Sequence, residues 1–99
     1  MTKTITVNVT QEDIETGIAN DCLHCPIALA ISRELPSSFP KVRNSNAGLL
    51  GRFSGWADLP VQAQTFIELF DAGQSVAPIT FDLTFDGFKI LTNPSQPQA

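Results

Sequence analysis

Two segments of the chain, one near each end, alternate apolar and polar residues. Residues 5–9 alternate isoleucine and valine with threonine and asparagine, and residues 79–85 alternate large apolar side chains with threonine and aspartate. A period of two predicts strands with one buried side and one solvent-facing side. Asp86-Gly87 follows directly and is typical of a two-residue hairpin turn, so we expect a return strand over residues 88–91.

The first predicted helix covers residues 11–19 and has its N-cap at Thr10. The sequence Thr-Gln-Glu-Asp places a hydroxyl at the helix start and a carboxylate three residues later, which is the pattern of a capping box. Ile14 and Ile18 are then one turn apart and form the apolar side of this helix.

A second helix is expected to begin at Pro26, because proline is tolerated in the first turn, and to end at Leu35-Pro36. Its residues are apolar nearly all the way round, which predicts burial on more than one side. Cys22 and Cys25 then lie at or just before its N-terminus.

The third predicted helix has the clearest apolar stripe in the chain. We expect Asp58 to cap its N-terminus ahead of Leu59-Pro60, and Gly73 to end it as a left-handed residue. The stripe has helical spacing and consists of Leu59, Ala63, Phe66, Ile67 and Phe70.

The segment between the second and third helices is expected to form a β-hairpin. Residues 41–43 and 49–53 are its strands, and the turn-rich residues 44–48 connect them. The order is then β-α-α-β-β-α-β-β, which favours helices packed on one face of a largely antiparallel sheet. We therefore expect a single α+β domain over residues 1–92, followed by a flexible polar tail over residues 93–99.

Composition and charge narrow the range of partners. Apolar residues make up 42% of the 99 residues and charged residues 16%, which is typical of one globular domain. No stretch approaches the roughly 20 apolar residues of a membrane span, and residues 1–13 lack the apolar core of a secretory leader. We therefore expect a protein of the cytoplasm with no membrane contact. Because the net charge is −4, the protein has no overall electrostatic attraction to duplex nucleic acid.

One segment departs from this acidic balance. Lys41, Arg43 and Arg52 fall within residues 35–57, where no acid occurs. Arginine binds phosphate or carboxylate in a fixed, two-pronged geometry. The segment is therefore our main lead to a binding site for an anion.

The uncharged neighbours of these cations also fit a binding site. The side chains at the predicted turn, those of Asn44, Ser45 and Asn46, can donate hydrogen bonds, and Trp56 is the only tryptophan. A tryptophan is suited to stacking on a base or to anchoring a protein. The alternative is that the cations form a solvated hairpin face and that Trp56 fills the core. The candidate ligand-binding residues are Lys41, Arg43, Asn44, Arg52 and Trp56.

The sharpest chemical feature is Cys22-Leu23-His24-Cys25. Two thiols at this spacing beside a helix N-terminus fit a redox pair in which the helix dipole lowers one thiol pKa. Thioredoxin-like folds, however, place such a pair directly after a core strand. Here a predicted helix lies between the first strand and the cysteines. Asp21 adds a further zinc-ligand type, yet structural zinc usually needs a second ligand pair along the chain. Zinc shared across a dimer remains an alternative. We expect no metal, and packing roles for both cysteines.

Signatures of catalysis are missing from the sequence. A single histidine and no Gly-x-Ser-x-Gly motif leave no template for a catalytic triad, and there is no glycine-rich phosphate-binding loop. Asp82 and Asp86 lie on a predicted strand and turn, where acids commonly face water. We therefore expect no catalytic residues, no cofactor and no enzyme activity.

Two stretches resemble sequences from a known group of proteins. They are residues 21–30, with the helix start Cys-Pro-Ile-Ala-Leu-Ala, and residues 66–73 with their continuation over 76–83. Both are similar to small uncharacterised proteins of bacteriophages, especially actinobacterial phages, and the likeness runs from the first strand to the last hairpin. The resemblance implies an accessory protein that acts on host processes or host defences, and it implies no catalytic or binding residues.

These observations lead to two main hypotheses and a weaker third. The first is a small binding protein that contacts a host protein and interferes with a host process or antiviral defence. The second is an oligomeric sponge that sequesters an anionic nucleotide signal. Its site would form between the protomers of a homo-oligomer, because one core of this size leaves little room for a closed cavity. The third is a thiol or zinc protein centred on Cys22 and Cys25.

Overall fold

In a computed structural model of the protein, described over residues 1–90, five strands form one antiparallel sheet and three helices pack on one of its faces. This arrangement confirms the expected α+β class. Leu91, which we expected in the last strand, and the tail expected over residues 93–99 lie outside the described residues. Within residues 1–90, no helix is long and apolar enough to cross a membrane.

The elements follow one another in the order β-α-α-β-β-β-α-β, so the third helix comes one strand later than expected. Their bounds are β1 Thr2–Val9, α1 Gln11–Thr16, α2 Pro26–Glu34, β2 Lys41–Val42, β3 Asn46–Leu49, β4 Phe53–Asp58, α3 Val61–Asp71 and β5 Ile79–Ile90. Across the sheet the strands are ordered β1-β5-β4-β3-β2, and every neighbouring pair is antiparallel.

β1 and β5 form the longest ladder, with eight paired positions. The predicted alternation is confirmed, because most of the apolar side chains of both strands lie in the core and the threonine, asparagine and aspartate side chains face solvent. On the solvent side, Thr4 Oγ1 lies 2.8 Å from Thr84 Oγ1, and Thr6 Oγ1 donates to Asp82 Oδ1 at 2.9 Å. We call this solvent-facing side of the sheet the open face. It continues across β4, β3 and β2.

The capping box predicted at Thr10 is present. Asp13 N donates to Thr10 Oγ1 at 3.1 Å, and Thr10 N donates to Asp13 Oδ2 at 3.0 Å. However, α1 is shorter than predicted, because Gly17 takes an extended conformation and Pro26 packs against it so closely that a Cβ on Gly17 would lie 2.7 Å from Pro26 Cγ. Ile18 is consequently outside the helix, and it is exposed.

α2 begins at Pro26 as predicted and packs against β1 and α1. Burial on more than one side of this helix is also confirmed. Its buried residues are Pro26, Ile27, Ala28, Ala30 and Ile31.

α3 carries four of the five residues of the predicted stripe, and Leu59 lies just before the helix; all five lie in the core or pack against it. The predicted N-cap is wrong, because Asp58 is the last residue of β4 and pairs with β3, while Pro60 occupies the N-cap position without a side-chain hydrogen bond. The C-terminus of the helix is as predicted. Gly73 has a φ of +79°, and the N–H groups of Gly73 and Gln74 donate to carbonyls in the last turn.

The hairpin predicted over residues 41–53 is correct only in its first strand. β2 pairs with Asn46–Leu49 and not with residues 49–53, and Arg43 N donates to Asn46 O at 2.8 Å across the short turn between them. β3 then pairs with β4, a strand that the sequence pattern did not predict. Glycine and alanine occupy several positions in these two strands, so the large side chains that usually mark a strand are few.

Asp86-Gly87 does not form the predicted hairpin turn. β5 continues to Ile90, and two of its residues, Gly87 and Phe88, lie opposite the single residue Gly55 of β4. This is a β-bulge, in which Gly87 has a φ of +62°. The left-handed conformation that an Asp-Gly pair favours therefore bends a strand here and does not reverse the chain.

Candidate functional site

The open face of β2, β3 and β4 carries a cross-strand row of three residues. Lys41 of β2 pairs with Gly48 of β3, and Gly48 pairs with Trp56 of β4. Directly paired residues of neighbouring strands project to the same side of a sheet. Lys41 and Trp56 therefore stand on either side of Gly48.

A pocket of about 360 Å³ surrounds this row. We call it the open-face pocket. It is lined by Lys41, Arg43, Asn46, Ala47, Gly48, Leu49, Leu50 and Trp56. The sheet thus brings together three of the five candidate ligand-binding residues, namely Lys41, Arg43 and Trp56.

Trp56 lies on the open face and not in the core, so the interpretation that it fills the core is wrong. It is 52% exposed, and Leu50, which lines the same pocket, is 57% exposed. Within residues 1–90, the indole N–H of Trp56 forms no hydrogen bond with another side chain or with the backbone. Both the ring and its donor are therefore available to a partner.

Gly48 leaves the centre of the row open. A Cβ atom on Gly48 would meet a single heavy atom at 4.0 Å, the carbonyl oxygen of Gly55. Neither Lys41 nor Trp56 therefore has an atom within 4 Å of this position. The gap between them reaches down to the backbone of β3.

The pocket also holds positive charge. Within residues 1–90, no carboxylate forms an ion pair with Lys41 or Arg43, and both residues are exposed. Acids on the open face, including Asp58 and Asp86, are not part of the pocket lining. Asp58 pairs with Asn46 and Asp86 pairs with Trp56, so two acids border a pocket whose own lining carries two cations and no acid.

Two candidate residues lie outside the open-face pocket. Arg52 is in the connection between β3 and β4, where its N–H donates to Ser37 O at 3.1 Å and its guanidinium carbon lies 5.9 Å from the centroid of the Phe53 ring. Asn44 lines a second pocket, which it shares with Arg43. Neither Arg52 nor Asn44 therefore lines the pocket around Gly48.

The second pocket lies beside the N-terminus of α2 and has a volume of about 310 Å³. It is lined by Asn20, Asp21, Cys22, Cys25, Val42, Arg43, Asn44, Ile67 and Asp71. Both thiols are free. In the part of the chain that the structure describes, no group of three or more histidine, cysteine or acidic side chains is arranged to hold a metal ion.

Cys25 has a structural role at the start of α2. Its Sγ accepts a hydrogen bond from Ala28 N at 3.5 Å, which makes Cys25 the N-cap of the helix. Burial raises the pKa of the Cys25 thiol above its ordinary value and outweighs the hydrogen bonds from the helix start. A reactive thiol requires the opposite shift, so the position of Cys25 favours packing and capping.

His24 is an exposed residue of the loop before α2. Its Nδ1 lies 3.1 Å from Asp21 Oδ2, and Asp21 Oδ1 accepts hydrogen bonds from the N–H groups of Leu23 and His24. The Leu23 N–H and then the His24 side chain lower the pKa of Asp21 below its ordinary value. The pair stabilises the loop that leads into the helix.

Sequence reasoning named Asn46 as a hydrogen-bond donor of the predicted turn and missed Gly48. Asn46 and Gly48 line the open-face pocket, although residues 44–48 were expected to form a turn. The signal that points to them is the alternation over residues 46–49, in which Ala47 is buried and its neighbours face the other side. Alanine and glycine made this alternation hard to recognise as a strand.

In comparisons with known proteins, the chain matches no protein family model, no curated protein and no solved structure.

Proposed function

We propose that this protein acts by binding an anionic partner at the open-face pocket, and not by catalysis. The proposal rests on the row in which an unpaired cation and a half-exposed tryptophan flank the open position at Gly48. Cationic side chains bind anions through charge and hydrogen bonds, and tryptophan binds flat or apolar groups. The lining includes no carboxylate, thiol or imidazole, so the pocket lacks the groups most often used in general acid–base catalysis.

Two kinds of partner fit this pocket. The first is a protein, which in the bacteriophage setting implied by the sequence resemblance is a host protein whose activity is blocked. Its acidic residues would meet Lys41 and Arg43, and an apolar side chain would pack on Trp56. The second is a small anionic nucleotide, which would be held by its phosphate and its base. Both partners use the same residues, so one set of variants tests the shared proposal.

The salt dependence of binding follows from the exposure of the cations. Attraction between exposed charges is screened over about 10 Å at 0.1 M ionic strength. Binding at the open-face pocket is therefore strongest at low salt and weakens as salt is added. A partner held only by apolar contacts with Trp56 would not show this dependence.

Trp56 itself provides the measurement, because it is the only tryptophan and the chain has no tyrosine. We expect a short polyglutamate peptide or adenosine monophosphate to change the fluorescence of Trp56 at low salt. The Arg43→Gln variant should lose this response. Arg52→Gln is the matched control outside the pocket and should keep it. If neither probe changes the fluorescence at any salt concentration, the pocket is not an anion site and the proposal is wrong.

A further inference from the structure

We infer that the open-face pocket binds a nucleotide, with its base inserted above Gly48 against Trp56 and its phosphate held by Lys41 and Arg43. This inference rests on the proposed function and adds the chemical class of the ligand. It depends on the width of the gap at Gly48, on the charge beside that gap and on the polar group next to it.

The gap has the width of a flat ring. Lys41 and Trp56 are separated by two strand spacings, a distance of roughly 9–10 Å. A planar ring packed between two side chains needs about 7–8 Å, because each carbon–carbon contact takes roughly 3.5–4.0 Å. A Cβ on Gly48 would meet only one heavy atom, at 4.0 Å, so the space directly above Gly48 is open, and a base inserted there would lie between the indole and the aliphatic stem of Lys41.

The charge beside the gap matches a phosphate group. Lys41 and Arg43 are unpaired within residues 1–90, and a phosphate monoester carries about −1.5 to −2 at neutral pH. Arginine can bind two phosphate oxygens at once, and lysine acts as a point charge. Two cations beside one ring-sized gap therefore fit a single nucleotide in both charge and shape.

A polar side chain lies beside the gap on the same strand. Asn46 is two residues from Gly48 on β3, so both project to the open face. The Asn46 amide forms no side-chain hydrogen bond within residues 1–90. It is therefore free to donate to and accept from the edge of a base or a ribose hydroxyl.

An acidic peptide would use only part of this site. Its carboxylates would meet the cations, but aspartate and glutamate bring no flat group into the gap above Gly48. The gap therefore favours a nucleotide over an acidic protein segment. A variant that fills the gap can therefore distinguish a nucleotide from an acidic peptide in a binding experiment.

Gly48 provides a variant that fills the gap and removes no polar group. Its φ is not in the left-handed region, and its Cβ position is open, so Gly48→Ala and Gly48→Val should fold. Valine is also favoured in strands. Both variants leave Lys41, Arg43 and Trp56 in place, and Arg52→Gln serves as a charge control outside the pocket.

The test compares four probes by Trp56 fluorescence and by calorimetry. They are adenosine monophosphate, adenosine, ribose 5-phosphate and a short polyglutamate peptide. We expect adenosine monophosphate to bind the wild-type protein about tenfold or more tightly than either of its parts, since stacking and charge act together. Gly48→Val should remove this advantage without lowering the melting temperature, Gly48→Ala should reduce it, and Arg52→Gln should leave it unchanged.

The remaining outcomes overturn the inference in distinguishable ways. Equal binding of adenosine monophosphate and ribose 5-phosphate would show that only the phosphate is recognised. Binding of the polyglutamate peptide alone, with no effect of Gly48→Val, would show a docking site for an acidic protein. In both cases the nucleotide inference fails and the anion-binding proposal stands. Binding of none of the charged probes would overturn both.

Discussion

Arg33, in the last turn of α2, holds Asp13 of α1 through two hydrogen bonds, from Nη1 to Oδ1 at 3.0 Å and from Nη2 to Oδ2 at 2.8 Å. Arg33 Nη2 also donates to Asn8 O at 2.9 Å, near the end of β1. Asp13 is only 4% exposed. One two-pronged pair therefore connects the first three elements of the chain. Removing Arg33 would leave the buried Asp13 carboxylate unpaired, which is strongly destabilising.

We expect this pair to contribute to the pH dependence of folding. Burial by itself raises the pKa of Asp13, but the hydrogen bonds from Arg33 and Thr10 outweigh it, so the folded-state pKa lies below the ordinary value. A lowered folded-state pKa contributes stability that is present above the unfolded pKa of about 3.9 and is lost as the pH falls through the folded value. The free energy of unfolding of the wild-type protein should therefore decrease as the pH falls below about 5.

Urea unfolding of Asp13→Asn over the same pH range measures this contribution. The variant should be less stable than the wild-type protein at neutral pH, and its stability should change less steeply with acid. Glu12→Gln replaces the neighbouring, exposed carboxylate and is the matched control. If the free energy of unfolding of Asp13→Asn fell with acid as steeply as that of the wild-type protein, groups other than Asp13 would cause the acid sensitivity.

A second prediction concerns the apolar stripe of α3. Phe66 is 4% exposed, and its ring is stacked with that of Phe70 at a centroid distance of 6.1 Å. Phe66→Ala should lower the free energy of unfolding by about 3–5 kcal/mol, because it removes buried apolar atoms and leaves a cavity. Leu69→Ala, at an exposed position of the same helix, should cost far less. Chemical denaturation that shows similar losses for the two variants would contradict the burial of this side of α3.

A third prediction separates the two cysteines from ligand binding. Replacing Cys22 and Cys25 together by alanine should leave binding at the open-face pocket intact and lower the free energy of unfolding by roughly 1–3 kcal/mol. The loss comes from the buried N-cap at Cys25, so serine at this position should restore part of it, because a hydroxyl is a good cap acceptor. Loss of binding with an unchanged melting temperature would instead support the thiol hypothesis.

A fourth prediction distinguishes two arginines that sequence reasoning had grouped together. Arg43→Glu should weaken the binding of adenosine monophosphate by about tenfold or more at low salt, and by less at high salt, because exposed charges are screened. Arg52→Glu should have little effect, since Arg52 lies outside the open-face pocket. Both variants should keep their stability within about 0.5 kcal/mol.

The alternative hypothesis is that the partner is a protein that binds through apolar contacts. Such a partner would be lost with Trp56→Ala and would tolerate Arg43→Glu. Measuring both variants against the same partner, with Arg52→Glu as the control, separates the two hypotheses. Equal loss of binding in Arg43→Glu and Arg52→Glu would show that the two arginines act together.

A fifth prediction concerns the bulge in β5. Gly55 has a φ of +145°, and a Cβ atom there would lie 3.1 Å from Asp86 O and 3.3 Å from Phe88 Cα. Gly87 has a φ of +62°, but no atom lies within 4 Å of its Cβ position. Gly55→Ala should therefore destabilise the protein by about 1–3 kcal/mol or more, whereas Gly87→Asn should cost little, because asparagine tolerates the left-handed region. Thermal unfolding of the two variants tests whether Gly55→Ala lowers the stability more than Gly87→Asn does.

The sequence alone determined the features that depend on neighbouring residues. The capping box at Thr10, the start of α2 at Pro26 and the left-handed end of α3 at Gly73 each involve groups within one or two helical turns. The alternation in β1 and β5 is also local, and it correctly assigned one side of each strand to the core. Such features can be predicted because their physical cause lies within a short window of the chain.

The tertiary structure decided the features that depend on strands distant in the sequence. Asp86-Gly87 has the composition of a hairpin turn, but β5 pairs with β1 on one side and with β4 on the other. These two ladders keep the strand continuous, and Gly87 is left in a bulge. Likewise, Trp56 faces Gly48 only because β3 lies between β2 and β4. The register between strands is a long-range property, and it placed Lys41, Gly48 and Trp56 in one row.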